Sequence, residues 1–240
     1  MPERRPLFPE RFLILSGSAL KLIALLAMLI DHTGIALRIP LERILLLPSR
    51  GITAYTLFRG IGRIAFPIFC FLLTEGFRHT RDKLRYALRL LVFALVSEPL
   101  FDLFRTLRPI AEGQNVFFTL LLGFLGLWAA ERYRERPWIQ LPLLLGLFAA
   151  AWLLDTDYSW KGFSLILLLY YLSPYPVVQA MGGSLLLPWP VACALAFLPI
   201  GLYDGQRGFI RGRWTKYLFY AFYPAHLTLL WLLRLRLARG

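Results

Sequence analysis

The stretch Leu20–Leu37 is apolar throughout, except for Lys21 near its start and Asp31-His32-Thr33 in its second half. Such a run approaches the roughly 20 residues that a helix needs to cross a bilayer. A charged group set into hydrocarbon costs roughly 2.5–3.5 kcal/mol on insertion scales, so it turns toward protein or a water-filled cavity. A lone helix offers neither. The run therefore requires further helices that close around Asp31 and His32.

The remaining sequence supplies them. Of 240 residues, 58% are hydrophobic and 17% charged, with a mean hydropathy of +0.59. Long apolar blocks alternate with short Arg-rich clusters, the pattern of an all-α, polytopic integral membrane bundle. The blocks read as about eight to ten membrane helices, with nine the best count on a span length of roughly 20 residues. In order they are Ala19–Leu37, Thr56–Phe77, Leu84–Phe101, Asn115–Ala130, Trp138–Leu154, Tyr158–Ser173, Tyr175–Leu187, Pro190–Tyr203 and Tyr217–Leu237. They leave room for one domain, residues 1–240, with a polar lead-in over 1–18. Ser18 is the expected cap of the first helix. Residues 38–55 carry Pro40, Pro48 and Gly51 around the apolar Ile44–Leu47, a loop with room for a short interfacial helix. Pro67 is expected to kink the second span and free a carbonyl near Arg63.

The net charge is +13, which in a soluble chain would point to nucleic acid. Here Arg and Lys gather at span ends, where they meet lipid headgroups and set topology, so no nucleic-acid partner is expected. With the N-terminus in the cytoplasm, that side holds Arg4, Arg5 and Arg11, the Arg78–Arg89 junction, Arg132, Arg134 and Arg136, and the Arg207–Lys216 loop. The tail residues Arg234, Arg236 and Arg239 resist, because they fall outside. Cys70 and Cys193 lie within apolar spans and read as packing residues. Three histidines in three separate segments give no metal motif. A phosphate-binding glycine loop, a Gly-x-Ser-x-Gly elbow and a dinucleotide fingerprint are also missing.

His32 is the best candidate for chemistry, since a neutral imidazole accepts protons near pH 7. Lys21 lies eleven residues earlier, about three turns, and shares its face. Asp31 points about 100° away from His32 and is placed to orient another group, such as Arg63. Arg59 and Arg63 line one face of the second span. Glu75 sits among Arg78, His79, Arg81, Arg85 and Arg89, a junction suited to a polyanionic ligand arriving from the cytoplasm. Glu98 and Asn115 fall in the outer half, and Tyr223 and His226 in the last span. The plain structural alternative is a set of buried polar pairs that lock helices together.

Several of these segments resemble the TraX family of membrane proteins. Leu20-Lys-Leu-Ile-Ala24 and Met28-Leu-Ile-Asp-His-Thr-Gly34 resemble its opening helix. Gly62-Arg-Ile-Ala-Phe-Pro-Ile-Phe69 and Thr74-Glu-Gly-Phe-Arg-His-Thr-Arg81 look like its second block. Tyr86-Ala-Leu-Arg-Leu-Leu91, Glu98-Pro99, Asn115-Val-Phe-Phe-Thr-Leu-Leu-Leu-Gly123 and Phe222-Tyr-Pro-Ala-His226 continue it in order. The family is named for the conjugative pilus protein that acetylates the pilin N-terminus. The resemblance implies an N-acetyltransferase of the bacterial inner membrane that draws on acetyl-CoA and a peptide or pilin-like acceptor. It is similar, more distantly, to the wider class of transmembrane acyltransferases. On this reading His32, Asp31, Arg63 and Glu75 form the catalytic group. Lys21, Arg78, His79, Arg81, Arg85, Arg89, Glu98, Asn115, Tyr223 and His226 bind acetyl-CoA or the acceptor. The competing readings are an O-acyltransferase of an envelope glycan or lipid, and a transporter or scaffold without catalysis. Transporters often carry two related halves, and none is visible in this sequence.

Overall fold

The computed structural model describes residues 5–108, 110–210, 212 and 215–239. Helix α1 (Gly17–Ala36) starts one turn earlier than its apolar run, because Ser16 accepts the Ala19 N–H at 3.4 Å. Ser18 is thus not the cap. It lies within the first turn, fully buried, where its hydroxyl donates to the Arg207 carbonyl at 2.8 Å and accepts the Ile210 N–H at 2.9 Å. Those bonds tie the start of α1 to the loop before the last helix.

Residues 38–55 hold more structure than a loop. A short helix, α2 (Arg38–Glu42), carries an Arg38–Glu42 ion pair of 2.8 Å. A two-stranded hairpin follows, β1 (Leu45–Leu47) against β2 (Ile52–Thr53), turning at Gly51 with φ of 63°. The expected second span is split into α3 (Ala54–Gly62) and α4 (Ala65–His79). Pro67 has no N–H to offer the Arg63 carbonyl, and the Cys193 thiol lies 3.9 Å from that oxygen instead. The freed carbonyl is where it was expected. The kink is a complete break at Arg63-Ile64.

The chain continues as α5 (Lys83–Thr106), α6 (Val116–Arg132), α7 (Pro137–Leu153), α8 (Ser159–Tyr171), α9 (Pro176–Leu186), α10 (Pro190–Leu195), α11 (Phe197–Gly201) and α12 (Thr215–Arg239). Asp82 caps α5 through the Arg85 N–H at 2.9 Å. Prolines open α7, α9 and α10, at the position where a helix has no use for an N–H. The element order follows the predicted spans. The third is longer than expected, however, running through Pro99 to Thr106, and the eighth is the two short pieces α10 and α11.

Among the described residues, three helical segments are long and apolar enough to cross a membrane: Gly17–Ala36, Ala54–His79 taken across its break, and Tyr217–Leu237. Pro137–Leu153 and Pro190–Gly201 are apolar but shorter. The inward faces meet in one core that includes Leu20, Ile68, Phe77, Leu90, Phe124, Ile166 and Leu227. The outward surface is also apolar. Helix α7 buries Ala151 and exposes Trp138, Leu141, Leu145 and Trp152, while α5 exposes Leu84, Leu88, Val92 and Leu95. An exposed apolar surface of this extent marks contact with lipid or another chain.

Helices α1, α5 and α12 run side by side in one direction. Lys21 sits over the Phe219 ring at one end of α12, and Phe93 of α5 packs on Tyr220 there with centroids 5.0 Å apart. At the other end Arg234 donates to the carbonyls of Phe104 and Arg105. Arg234 therefore closes the C-terminus of α5, where a cation meets unpaired carbonyls and the negative end of the helix dipole. This accounts for one of the tail arginines that the charge rule left unexplained. Arg4, Arg211 and Arg213 lie outside the described residues.

Candidate active site

Two histidines from opposite ends of the chain meet in the core. His32 Nδ1 lies 2.6 Å from His226 Nε2, and the rings meet edge to edge, nearly coplanar (7°), with centroids 4.9 Å apart. His226 Nδ1 lies 2.8 Å from the Phe222 carbonyl one turn back on α12. Phe104 and Tyr223 complete the wall, with ring centroids 5.4 Å and 6.2 Å from His32. His226 and Tyr223 are buried; His32 is partly accessible. The Tyr223 hydroxyl stands near the Val116 N–H at the start of α6.

Asp31, on the adjacent face of α1, belongs to a different contact. Its Oδ2 pairs with Arg59 at 2.6 Å, with side-chain exposures of 14% and 19%. The expected partner, Arg63, stands close enough to act on the carboxyl electrostatically but makes no ion pair with it. The reason is the break after Gly62: Arg59 is inside α3, while Arg63 caps it and leaves with the turn. A Cβ at Gly62 would overlap the Asp31 carboxyl, so only glycine lets α3 come this close to α1. Asp31 Oδ1 and Arg63 Nε are buried without a hydrogen-bond partner among the described residues.

A cavity of about 540 Å³ opens between α1, α4, α5, α6 and α12. Lys21, Arg89 and Arg207 give its mouth a positive lining, with His79 and the Glu75 carboxylate among them. The Arg89 guanidinium lies over the Tyr86 ring at 5.3 Å, and its Nε is buried and unpartnered among the described residues. Arg89, Tyr220 and Tyr86 stand in a row along one wall. Deeper in, the lining turns apolar with Leu25, Phe117 and Leu120, and reaches Met28, Val116 and Tyr223. On α1 the lining residues Lys21, Leu25 and Met28 fall on one helical stripe, and His32 is the next position on it. On α12 Phe219 and Tyr223 lead in the same way to His226.

The structure separates the predicted residues into groups. Lys21, Glu75, His79, Arg89 and Tyr223 line the cavity; His32 and His226 lie just beyond its inner end. Glu75 is 3.8 Å from Arg78 and 3.9 Å from His79, so it belongs with the mouth and not with Asp31. Arg78 turns away over Tyr170. Arg81 is exposed, and Arg85 is exposed and paired to Asp82 at 2.8 Å; neither lines the cavity. Asn115 is fully buried as the cap of α6. Its Oδ1 accepts the Phe117 N–H at 2.9 Å, and its Nδ2 donates to the Ala94 carbonyl at 2.8 Å and to Glu98. With both amide protons spent inside the protein, Asn115 holds Glu98 and has none left for a substrate carbonyl. Arg59 and Arg207 were missing from the predicted site. The one-turn spacing of Arg59 and Arg63 was the available signal for the first.

No group of three or more His, Cys, Asp or Glu among the described residues could hold a metal ion. Comparison with known proteins gives a family. The model of the family described as TraX protein matches residues 16–234. A curated relative, the probable fimbrial assembly protein FimC, serogroup H1, of Dichelobacter nodosus, is 31% identical over 242 aligned residues. That alignment takes in 90% of this chain and 94% of the relative. No solved structure matches significantly. With the family model spanning the chain from before α1 to well into α12, this protein belongs to the TraX family.

Proposed function

We propose that the protein is a multi-pass enzyme of the bacterial inner membrane that moves an acetyl group from cytoplasmic acetyl-CoA to an amine. The acceptor is the N-terminus of a pilin-like protein or peptide, in fimbrial or conjugative pilus assembly. The nine helical blocks are its crossings, with the basic mouth on the cytoplasmic side. One observation carries the reading: a cavity with a cationic mouth turns apolar toward a histidine pair, His226 buried and His32 partly accessible. Its volume, about 540 Å³, falls within the range for pockets that enclose a ligand of some size. The name of the FimC relative fits a role in fimbrial assembly.

The charges suit the donor. Lys21, Arg89 and Arg207 meet the diphosphate and ribose phosphate, and the apolar wall takes the pantetheine arm. The thioester arrives at Tyr223, whose hydroxyl donates to the carbonyl oxygen as negative charge builds there. The acceptor nitrogen attacks the acetyl carbon, a C–N bond forms and the C–S bond breaks. His32 Nε2 takes the proton released by the amine, and that proton leaves with the CoA thiolate. Asp31 and Arg59 hold α1 against α3 so that His32 keeps its place. Transfer through an acetyl-histidine is the variant that single-turnover labelling separates from direct attack.

The test uses the full chain in nanodiscs with acetyl-labelled CoA and a pilin N-terminal peptide. Label moves to the peptide with the native protein and not with His32→Ala, which still runs as a folded species on gel filtration. Acetyl-CoA raises the melting temperature and free phosphate does not. A native protein that neither transfers label nor gains stability from millimolar acetyl-CoA overturns the proposal.

A further inference from the structure

We infer that His226 is a positioning residue that fixes the tautomer of His32, leaving His32 Nε2 as the bare nitrogen that does the chemistry. The argument starts from a group that can only accept. The Phe222 carbonyl lies 2.8 Å from His226 Nδ1, so that nitrogen carries a proton. A neutral imidazole has one N–H, which makes His226 Nε2 an acceptor. His32 Nδ1 is 2.6 Å away and must donate to it. His32 then has its only proton on Nδ1, and the lone pair of Nε2 points away from His226. The chain of bonds runs Phe222 carbonyl, His226, His32, with each donor assigned by the one before it.

The surroundings hold this arrangement. His226 is 5% exposed, and its ring is stacked on Phe222 with centroids 5.0 Å apart. The nearly coplanar edge-to-edge contact with His226 sets the plane of the His32 ring as well. A neutral histidine free in water favours the proton on Nε2, the opposite choice. Without His226, the His32 nitrogen on the far side from α12 would carry a hydrogen and could not accept one. Aspartate performs this service for histidine in hydrolytic triads. Here a second imidazole does so without adding a charge to the core.

The kinetic consequence rests on the acetyl-transfer reading; the tautomer does not. The experiment therefore reads both. Nitrogen-15 histidine is incorporated into the full chain in nanodiscs, and solid-state NMR reports which ring nitrogens are protonated, with His32→Gln assigning the His32 signals. The native protein is expected to show His32 protonated on Nδ1 and bare on Nε2. His226→Phe keeps an aromatic ring at this position but offers no acceptor. It should move His32 to the Nε2–H form and lower kcat by roughly 100-fold or more with KM for acetyl-CoA unchanged. His226→Gln returns an acceptor oxygen near the lost Nε2 position, and should restore the Nδ1–H form and bring kcat to within about 10-fold of native. A native His32 carrying its proton on Nε2, or one whose tautomer is the same in His226→Phe, overturns the inference. The expected tautomers in a native protein without transferase activity would uphold the positioning role and sink the acetyl-transfer reading alone.

Discussion

Removing the Asp31 carboxylate tests whether the helix α1–α3 contact is built as an ion pair. Asp31→Asn keeps the shape and deletes the charge opposite Arg59, 2.6 Å away. Two unit charges about 4 Å apart attract by about 4 kcal/mol at an effective dielectric of about 20. Stranding one partner of a fully buried pair costs about 3–5 kcal/mol. The side chains keep exposures of 14% and 19%, so the lower end applies, about 3 kcal/mol. For a chain of this size that corresponds to a melting temperature about 6–12 °C lower. The two single variants should not be equal. Asp31→Asn leaves Arg59 and Arg63 without their paired carboxylate and with only Asp157 acting on them, whereas Arg59→Gln leaves Asp31 with Arg63 still near. The order is therefore Asp31→Asn worse than Arg59→Gln, with the double variant well short of the sum and a coupling of about 2 kcal/mol. Melting followed by fluorescence-detected gel filtration in detergent measures all four species. Additivity within about 0.5 kcal/mol, or the reverse order of the single variants, refutes the reasoning.

The cavity mouth makes a selective prediction: Arg89→Ala and Arg207→Ala each raise KM for acetyl-CoA about 10-fold with little change in kcat, while Arg85→Ala, whose pair with Asp82 is exposed, leaves both unchanged in steady-state assays. Gly62→Ala places a methyl group against the Cβ and carboxyl of Asp31 and costs about 1–3 kcal/mol, read as a lower melting temperature that Asp31→Ala does not restore, because its Cβ stays in the way. Asn115→Ala removes the cap of α6 and strips Glu98 of its side-chain donor, for a loss of about 2–4 kcal/mol in the same melting assay. Were Asn115 a substrate contact only, the substitution would raise KM and leave melting unchanged.

The bundle was legible in the sequence because apolar run length and Arg clustering are properties of single segments. Leu20–Leu37 announces a helix without reference to any other part of the chain. The stripe Lys21, Leu25, Met28, His32 was equally legible, since helical periodicity fixes which residues share a face. What failed were the boundaries set by local chemistry. Ser18 resembles a cap as well as Ser16 does, and only the bonds to Arg207 and Ile210 decide against it. Arg63 reads as a partner for Asp31 because it lies deeper in the span, beside Gly62, whereas the folded chain gives that place to Arg59. Pro67 ended that helix at Gly62 and redirected Arg63.

Contacts between distant helices lay out of reach for a different reason. The basic junction Arg78–Arg89 reads as one patch along the sequence, yet three turns of helix around two axes send Arg78 toward α8, Arg81 and Arg85 to the surface, and Arg89 into the cavity. Charge density alone says nothing of which arginine faces inward. The row of Tyr86 and Tyr220 beside Arg89 is the better sign, since aromatic side chains with polar tips wall a site that is apolar on one side and wet on the other. His226 shows the limit most clearly. It stands 194 residues from His32, and a single sequence holds no term that links them. Its pairing follows from the packing of α12 along α1 in the same direction, which the order of helices allows but does not require. Once that packing exists, the Phe222 carbonyl fixes the proton on His226 Nδ1, and on the proposed reading a histidine that looked like a ligand contact becomes the group that orients His32.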